Sequence, residues 1–338
     1  MTGANDHHAG TVPADDRGLA GRHVLVTGGA GFIGSHMTEA LVAAGARVTV
    51  VDDLRTSSVT NLDGCRDAID YVEDDVLDDR FESLVRSRRF DVVVHLAGNP
   101  YVPPSVERPW DDFQLNLTGT LRLLETLRKT GSRARVLLAS SAAVYGDLDV
   151  DGLTEEHPTV PISPYGVSKL GAERYGAVYA QLYGLRVASL RYFSVYGPRQ
   201  KKQVVYDLLG KLLGGTGDVL VHGDGTQTRD FNYVTDVVGA TLAVAASAPL
   251  RGETYNVAGG QVCSIRELVE TLAGLVGSAA RIRWSGVVRP GDPQRWSADW
   301  RRLAALGWQP RVSLRDGLAS TVSWYRTYAE RIENRQAV

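Results

Sequence analysis

The chain has 338 residues, enough for one large or two moderate domains with a substantial core. Hydrophobic residues make up 43% and charged residues 22%, which excludes a disordered chain, and no apolar run approaches the ~20 residues of a membrane span. Basic and acidic side chains nearly balance, 37 against 39, so no overall positive field argues for nucleic acid. Only Cys65 and Cys263 are present, which rules out a disulfide framework, a zinc cluster or a paired redox motif and fits a reducing cytoplasm. Lysine is rare, with five among the basic residues (Lys129, Lys169, Lys201, Lys202, Lys211).

Residues 1–21 read as a disordered polar leader without the basic start and apolar stretch of a secretory signal. The pair His7-His8 has no further ligands nearby, so no metal is expected there. From Arg22 the pattern changes: His23–Thr27 is a β-branched strand, glycines follow, and Gly31–Ala44 reads helical. Further strands are expected at Arg47–Asp52, Ile69–Val72, Asp91–His95, Arg135–Ser140 and Arg186–Arg191, with helices at about Arg80–Arg88, Asp111–Lys129 and Pro164–Tyr183. Apolar strands alternating with helices indicate an α/β fold, a doubly wound parallel sheet covered on both faces. After Arg191 the rhythm becomes irregular, around a helix near Val204–Leu213, a strand at Glu253–Val257 and helices at Ser264–Val276 and Leu314–Ile332. The expected division is a doubly wound domain over 22–195, joined by 231–260, and a smaller region over 196–230 and 261–332.

Gly28, Gly31 and Gly34 are spaced three apart between the first strand and first helix. Glycine there permits a tight turn and close approach of a pyrophosphate to the helix start. Asp52, at the end of the second strand, is placed to accept hydrogen bonds from adenosine ribose hydroxyls and to repel a 2′-phosphate, which selects NAD over NADP. Asp75 reads equally as an adenine contact or as part of a solvated acidic turn.

Tyr165 and Lys169, four residues apart on a helix, share one face. A free phenol titrates near ~10, so a base at neutral pH needs a shift of roughly 3 units, about 4 kcal/mol. An ammonium ~4 Å away at an effective dielectric of ~20 supplies a similar amount. Ser140 and Ser141 run off the fifth strand, where ligands of doubly wound sheets bind, so Ser141 is placed to donate to a substrate oxygen while Tyr165 takes a proton.

With these features in order, the chain resembles the extended short-chain dehydrogenase/reductase family, specifically its NAD-dependent nucleotide-sugar epimerases and dehydratases. The likeness covers about Arg22 to Tyr328. It rests on Val-Thr-Gly-Gly-Ala-Gly-Phe-Ile-Gly (26–34), His-Leu-Ala-Gly (95–98), Asn-Leu-Thr-Gly-Thr (116–120), Ser-Ser-Ala-Ala-Val-Tyr-Gly (140–146), Ser-Pro-Tyr-Gly-Val-Ser-Lys (163–169) and Tyr-Phe-Ser-Val-Tyr-Gly-Pro-Arg-Gln (192–200). The resemblance implies NAD contacts at Gly28, Gly31, Phe32, Ile33, Gly34, Asp52, Asp53, Leu54, Asp75, Val76, Leu96, Ala97, Gly98, Asn116, Ser140, Tyr165, Lys169 and Val195. It also implies a UDP-sugar bound by the C-terminal region, a homodimer built through the helices around Asp111–Lys129 and Pro164–Tyr183, and catalysis by Tyr165, Lys169 and Ser141.

Within that family, enzymes that remove water across C4–C6 usually carry an Asp-Glu pair after the hydroxyl residue, and decarboxylases of UDP-glucuronate generally carry a glutamate there. This chain has Ala142 and Ala143, which cannot move protons. The expected reaction is therefore 4-epimerisation through a 4-keto sugar. Ser194 stands where many relatives acting on neutral hexoses have asparagine. With Lys201 after Pro-Arg-Gln it is similar to UDP-glucuronate 4-epimerases, and the expectation is that Ser194 hydrogen-bonds the C6 carboxylate and Lys201 pairs with it; a solvent-facing Lys201-Lys202 pair is the competing reading. Arg229 and Arg289 match phosphate contacts and Asp292 a ribose contact. Proline at 103 and 104 replaces the arginine and aromatic residue of many relatives, and Ser105 of that loop is counted with the substrate contacts. Epimerisation of UDP-glucose or its N-acetyl analogue, decarboxylation, 4,6-dehydration and a non-catalytic NAD-binding regulator are the alternatives.

Overall fold

The computed structural model describes residues 18–214, 217–287 and 293–336. Thirteen strands and eleven α-helices alternate along these residues. The first six strands are β1 (His23–Thr27), β2 (Arg47–Asp52), β3 (Ile69–Glu73), β4 (Val92–His95), β5 (Arg135–Ser141) and β6 (Arg186–Tyr192). The rest are β7 (Val195–Tyr196), β8 (Asp218–Val221), β9 (Thr228–Asp230), β10 (Asn232–Tyr233), β11 (Arg251–Val257), β12 (Val262–Ser264) and β13 (Arg281–Trp284). The first six helices are α1 (Phe32–Ala43), α2 (Asp79–Ser87), α3 (Val102–Glu107), α4 (Pro109–Phe113), α5 (Gly119–Lys129) and α6 (Pro164–Tyr183). They are followed by α7 (Gln203–Leu213), α8 (Val234–Ser247), α9 (Ile265–Val276), α10 (Arg301–Ala304) and α11 (Leu314–Gln336).

Seven strands form one sheet in the order β11-β6-β5-β4-β1-β2-β3, every pair parallel. This is the doubly wound, Rossmann-type arrangement that the strand–helix cadence predicts. Such a sheet is buried on both faces, and β1 and β4 are buried at every residue. Met37 and Leu41 of α1 and the apolar residues of α8 cover one face. Phe81 and Val85 of α2, with Leu123, Leu124 and Leu127 of α5, cover the other. The chain reverses its direction of travel across the sheet between β1 and β4, so a crevice opens at their carboxyl ends.

A second core joins Leu208 and Leu209 of α7, Leu268 and Leu272 of α9, Leu318 and Val322 of α11, and Phe231. It sits across the crevice from β1 and β4 and carries the short pairs β7–β10, β9–β12 and β8–β13.

Two expectations are corrected, and one helix is added. Residues 18–21 belong to the folded body, because Leu19 packs in the main core and the Gly21 amide donates to the Gly45 carbonyl at 2.9 Å. The rest of the leader, including His7 and His8, lies outside the described residues. The helix expected over Asp111–Lys129 is interrupted by a π-helical turn at Gln114–Thr118, flanked by α4 and α5. Helix α8 went unpredicted because it is buried nearly all round and shows no amphipathic period.

Candidate active site

A cleft of about 1040 Å³ runs along the carboxyl ends of the parallel strands and under the second core. At its cofactor end the chain turns from β1 into α1. Gly28 has φ +70°, and a Cβ there would sit 2.8 Å from the Ala97 amide nitrogen. A side chain on Gly34 would run into the Gly28 carbonyl oxygen. These positions must lack side chains for the turn and helix to pack, which leaves the helix start open to a pyrophosphate. Gly34→Ala is expected to abolish retention of dinucleotide and to lower the melting temperature, measured by cofactor content and thermal unfolding; full retention would contradict this reading of the turn.

Asp52 is buried, and both carboxylate oxygens are committed to the turn. Oδ2 accepts from the Ala30 amide at 2.9 Å, while Oδ1 accepts from the Leu54 amide at 2.9 Å and Ser57 Oγ at 2.6 Å. Its immediate work is to brace the loop. Asp53 is more open, and burial raises its carboxyl pKa despite Arg55 Nε at 3.2 Å. Arg55 also reaches Asp75 Oδ2 at 2.5 Å, bridging the ends of β2 and β3.

At the chemical end, α6 starts where Ser163 Oγ accepts from the Gly166 amide at 3.1 Å, with Pro164 in the first helical turn. That start fixes Tyr165 and Lys169 one turn apart on the cleft wall, both buried. Lys169 Nζ donates to the Ala139 carbonyl at 3.0 Å and lies 5.8 Å from the centroid of the Tyr165 ring. Burial pulls the Lys169 ammonium down to about 8, with the charge of Asp112 acting against it. Burial pushes the Tyr165 phenol up to about 12, opposed by a hydrogen bond with Ser141 and reinforced by Asp112. Protein groups alone thus hold the phenol neutral. Ser141 Oγ accepts from the Ala143 amide at 3.2 Å as the chain leaves β5 in a 3₁₀ turn. Beneath Lys169, His95 is buried between Thr27 Oγ1 at 2.8 Å and Thr120 Oγ1 at 3.2 Å, and burial lowers its pKa to about 3.

The cleft gathers Gly28, Gly31, Phe32, Ile33, Gly34, Asp52, Asp53, Asp75, Val76, Leu96, Ala97 and Gly98 at one end. Ser140, Ser141, Tyr165, Lys169, Ser194, Val195, Lys201 and Arg229 line the rest. Three predicted residues stand behind the wall. Leu54 packs on the main core, and Asn116 is buried behind Gly98. Ser105 is fully buried, its hydroxyl donating to the Val102 carbonyl at 2.7 Å and accepting from the Tyr165 amide at 3.1 Å. Its contact is with the helix that carries Tyr165, not with the cleft. Arg289 and Asp292 lie outside the described residues.

Sequence reasoning missed Tyr101, Asp112, His222, Gln227 and Trp296, all of which line the cleft. Trp296 lies under the Arg229 guanidinium, 5.3 Å from its carbon to the ring centroid. Lys201 Nζ stands 5.0 Å from the ring centroid of Tyr328, and Lys202 Nζ 4.7 Å from that of Tyr101. These residues come from separate loops and helices and carry no local motif. Asp112 alone had a signal, its placement one helical turn before Asn116.

The family model for GDP-mannose 4,6 dehydratase matches residues 25–321. A UDP-glucose 4-epimerase of Mycolicibacterium smegmatis is 36% identical over 313 residues, covering 90% of this chain and 99% of that protein. A dTDP-glucose 4,6-dehydratase of Actinoplanes sp. is 37% identical over 320 residues, covering 90% and 97%. The crystal structure of UDP-glucuronic acid 4-epimerase from Bacillus cereus, in complex with UDP-glucuronic acid and NAD, superposes with a TM-score of 0.84 at 30% identity, covering 90% of this chain and 99% of that one. The matched region contains both the glycine turn and the Tyr165–Lys169 pair. The chain belongs to the extended short-chain dehydrogenase/reductase family of nucleotide-sugar epimerases and dehydratases.

Proposed function

We infer that the chain is an NAD-dependent 4-epimerase of a UDP-sugar, interconverting UDP-glucuronate and UDP-galacturonate. The observation that carries the epimerase reading is the turn after Ser141, where Ala142 and Ala143 stand at the positions that hold an acidic pair in the dehydratases the chain resembles, and their buried methyl groups cannot move a proton. The side-chain-free cradle at Gly28 and Gly34, leading to Lys169 and Tyr165 along one cleft, fits a dinucleotide. NAD, when bound, supplies the acceptor and later the donor of the C4 hydrogen with its electron pair, together with a positive charge that favours a phenolate.

Tyr165 takes the proton of the 4-hydroxyl as C4 is oxidised, and Ser141 Oγ donates to O4. Lys169 holds a positive charge beside the phenolate and stabilises it. The 4-keto sugar turns about its diphosphate link, and Tyr165 returns the proton to O4 as the opposite face of C4 is reduced. Substrate and product exchange one proton with the same phenol, so no second acid is required.

Ser194 and Lys201 support the acidic sugar, because both line the cleft and a buried carboxylate needs a cationic or hydrogen-bonding partner. Arg229 over Trp296 supports a diphosphate site in the second lobe. Purified protein given UDP-glucuronate without added NAD is expected to form UDP-galacturonate. A pentose product would reveal decarboxylation instead, and loss of water 4,6-dehydration. Lys201→Ala is expected to raise KM for UDP-glucuronate about tenfold, the worth of one charged hydrogen bond, and to leave UDP-glucose turnover unaltered. Equal effects on both sugars would remove the carboxylate role.

We also propose that the protein is a cytoplasmic homodimer, and the free thiols of Cys65 and Cys263 are compatible with a reducing compartment. On α4 and α6, Trp110 (67% exposed), Leu182 (69% exposed), Phe113, Val167, Tyr175 and Val178 form an apolar surface that a second copy would cover.

A further inference from the structure

Asp112 and Asn116 are one turn apart where α4 runs into the π-helical segment, and both are buried. Asp112, 1% exposed, accepts at Oδ1 from Asn99 Nδ2 at 3.1 Å and from Asn116 Nδ2 at 2.8 Å. Its Oδ2 is buried with no hydrogen-bond partner among the described residues. Asn116 Nδ2 also donates to the Asn99 carbonyl at 3.1 Å. Carboxylate and carbonyl are both acceptors, so the amide of Asn116 has one permitted orientation, with its NH₂ group toward them and Oδ1 turned away.

Oδ1 is turned toward the chemistry. A methyl group placed on Gly98 would overlap Asn116 Oδ1 and lie 3.6 Å from Lys169 Nζ, so the amide oxygen and the ammonium flank the same point. Oδ1 is buried and lacks a hydrogen-bond partner among the described residues, while Lys169 has three N–H donors and gives one to the Ala139 carbonyl. No direct bond joins them in the structure, so a single bridging water or a small shift of the ammonium would complete the contact. The π-helical turn centred on Asn116 adds weight, since such turns are rare and concentrate at functional sites.

We propose that Asp112 is a positioning residue for the reaction: its carboxylate locks the Asn116 amide so that Oδ1 accepts from the Lys169 ammonium and holds that cation beside Tyr165. The proposal rests on the hydride-transfer reading for its effect on turnover. The geometry it asserts belongs to the protein alone. The charge of Asp112 also favours the ammonium form of Lys169, the other titratable groups facing that ammonium being Tyr165 on α6 and His95 on β4.

With five lysines in the chain, selective ¹³C-lysine labelling resolves the Lys169 ammonium by NMR in cofactor-free protein. Asp112→Asn is expected to lower the titration midpoint of Lys169, and an unchanged midpoint overturns the proposal. In turnover assays, Asp112→Asn and Asn116→Leu are each expected to lower kcat roughly 10- to 100-fold with KM for the sugar unchanged, as loss of one charge-assisted hydrogen bond requires. The double variant should fall no further than either single one, because the two side chains act as a unit. Additive losses, or full kcat in either single variant, overturn it. Should Asp112→Asn fail to fold, Asn116→Leu decides by itself, since wild-type kcat and midpoint in that variant would overturn the proposal. Failure of the epimerase reading would appear instead in the wild-type protein, as nucleotide sugars left unchanged, and the NMR midpoint would still decide the role of Asp112.

Discussion

Tyr165→Phe is expected to reduce kcat by roughly 10²- to 10⁴-fold, the range removed with a positioned general base, while the protein folds and retains dinucleotide normally. The substitution deletes one hydroxyl at the cleft wall and leaves the ring packing, and the backbone amide of residue 165 still donates to Ser105. Its effect should therefore fall on proton transfer alone. Burial pushes the phenol up to about 12, so it is protonated at neutral pH in the protein alone, and a positive charge in the cleft would lower it. Lys169, at about 8, is charged at neutral pH and loses its charge as pH rises further. Turnover should accordingly decline on the alkaline side as the ammonium is lost. Measuring kcat across pH in wild type and variant checks both statements, and a Tyr165→Phe enzyme with undiminished kcat would remove the phenol from the mechanism.

Glu173→Ala should destabilise the fold by about 3–5 kcal/mol, because it strands a buried guanidinium. Glu173 and Arg191 are each 3% exposed and meet in a two-pronged pair, Nε to Oε1 at 2.9 Å and Nη2 to Oε2 at 2.8 Å. Ser140 Oγ donates to the same Oε1 at 2.5 Å, and Arg191 Nη1 donates to the Tyr145 hydroxyl at 2.8 Å. The pair thus ties α6 to β5 and β6 directly beneath Tyr165 and Ser141. Urea unfolding of Glu173→Ala measures the loss. The double substitution Glu173→Leu with Arg191→Met should recover much of it, since an apolar pair of similar size carries no desolvation penalty. Little loss in the single variant would mean that the ion pair contributes nothing net to stability.

The parallel sheet was legible in the sequence because its central strands are largely apolar and bounded by turn residues, and the boundaries of β2 and α6 are those the pattern predicts. Helix α8 was not, because Val234–Ser247 is apolar and small on nearly every side and has no period to read. The π-helical turn is likewise silent, since one extra residue per turn leaves no compositional trace. At the site, the Tyr165–Lys169 spacing and the glycine turn are local and survive as written. Ser105 illustrates the limit. Its type suits ligand contact, yet the fold uses its hydroxyl to hold the start of α6, whereas Asp52 lines the cleft and also braces the glycine turn. Sequence reveals which residues carry polar groups, whereas tertiary packing decides where their hydrogen bonds go. Asp112 lay in view one turn before Asn116, but its significance depends on Gly98 and Lys169, which approach from β4 and α6.

The most direct test of the account follows a deuterium placed at C4 of UDP-glucuronate through turnover by purified protein. The account predicts that the label returns to C4 of UDP-galacturonate without exchange with water, because the same hydrogen leaves and re-enters within one closed site. Deuterium appearing at another carbon, lost to solvent, or retained in a substrate that never changes configuration would contradict it.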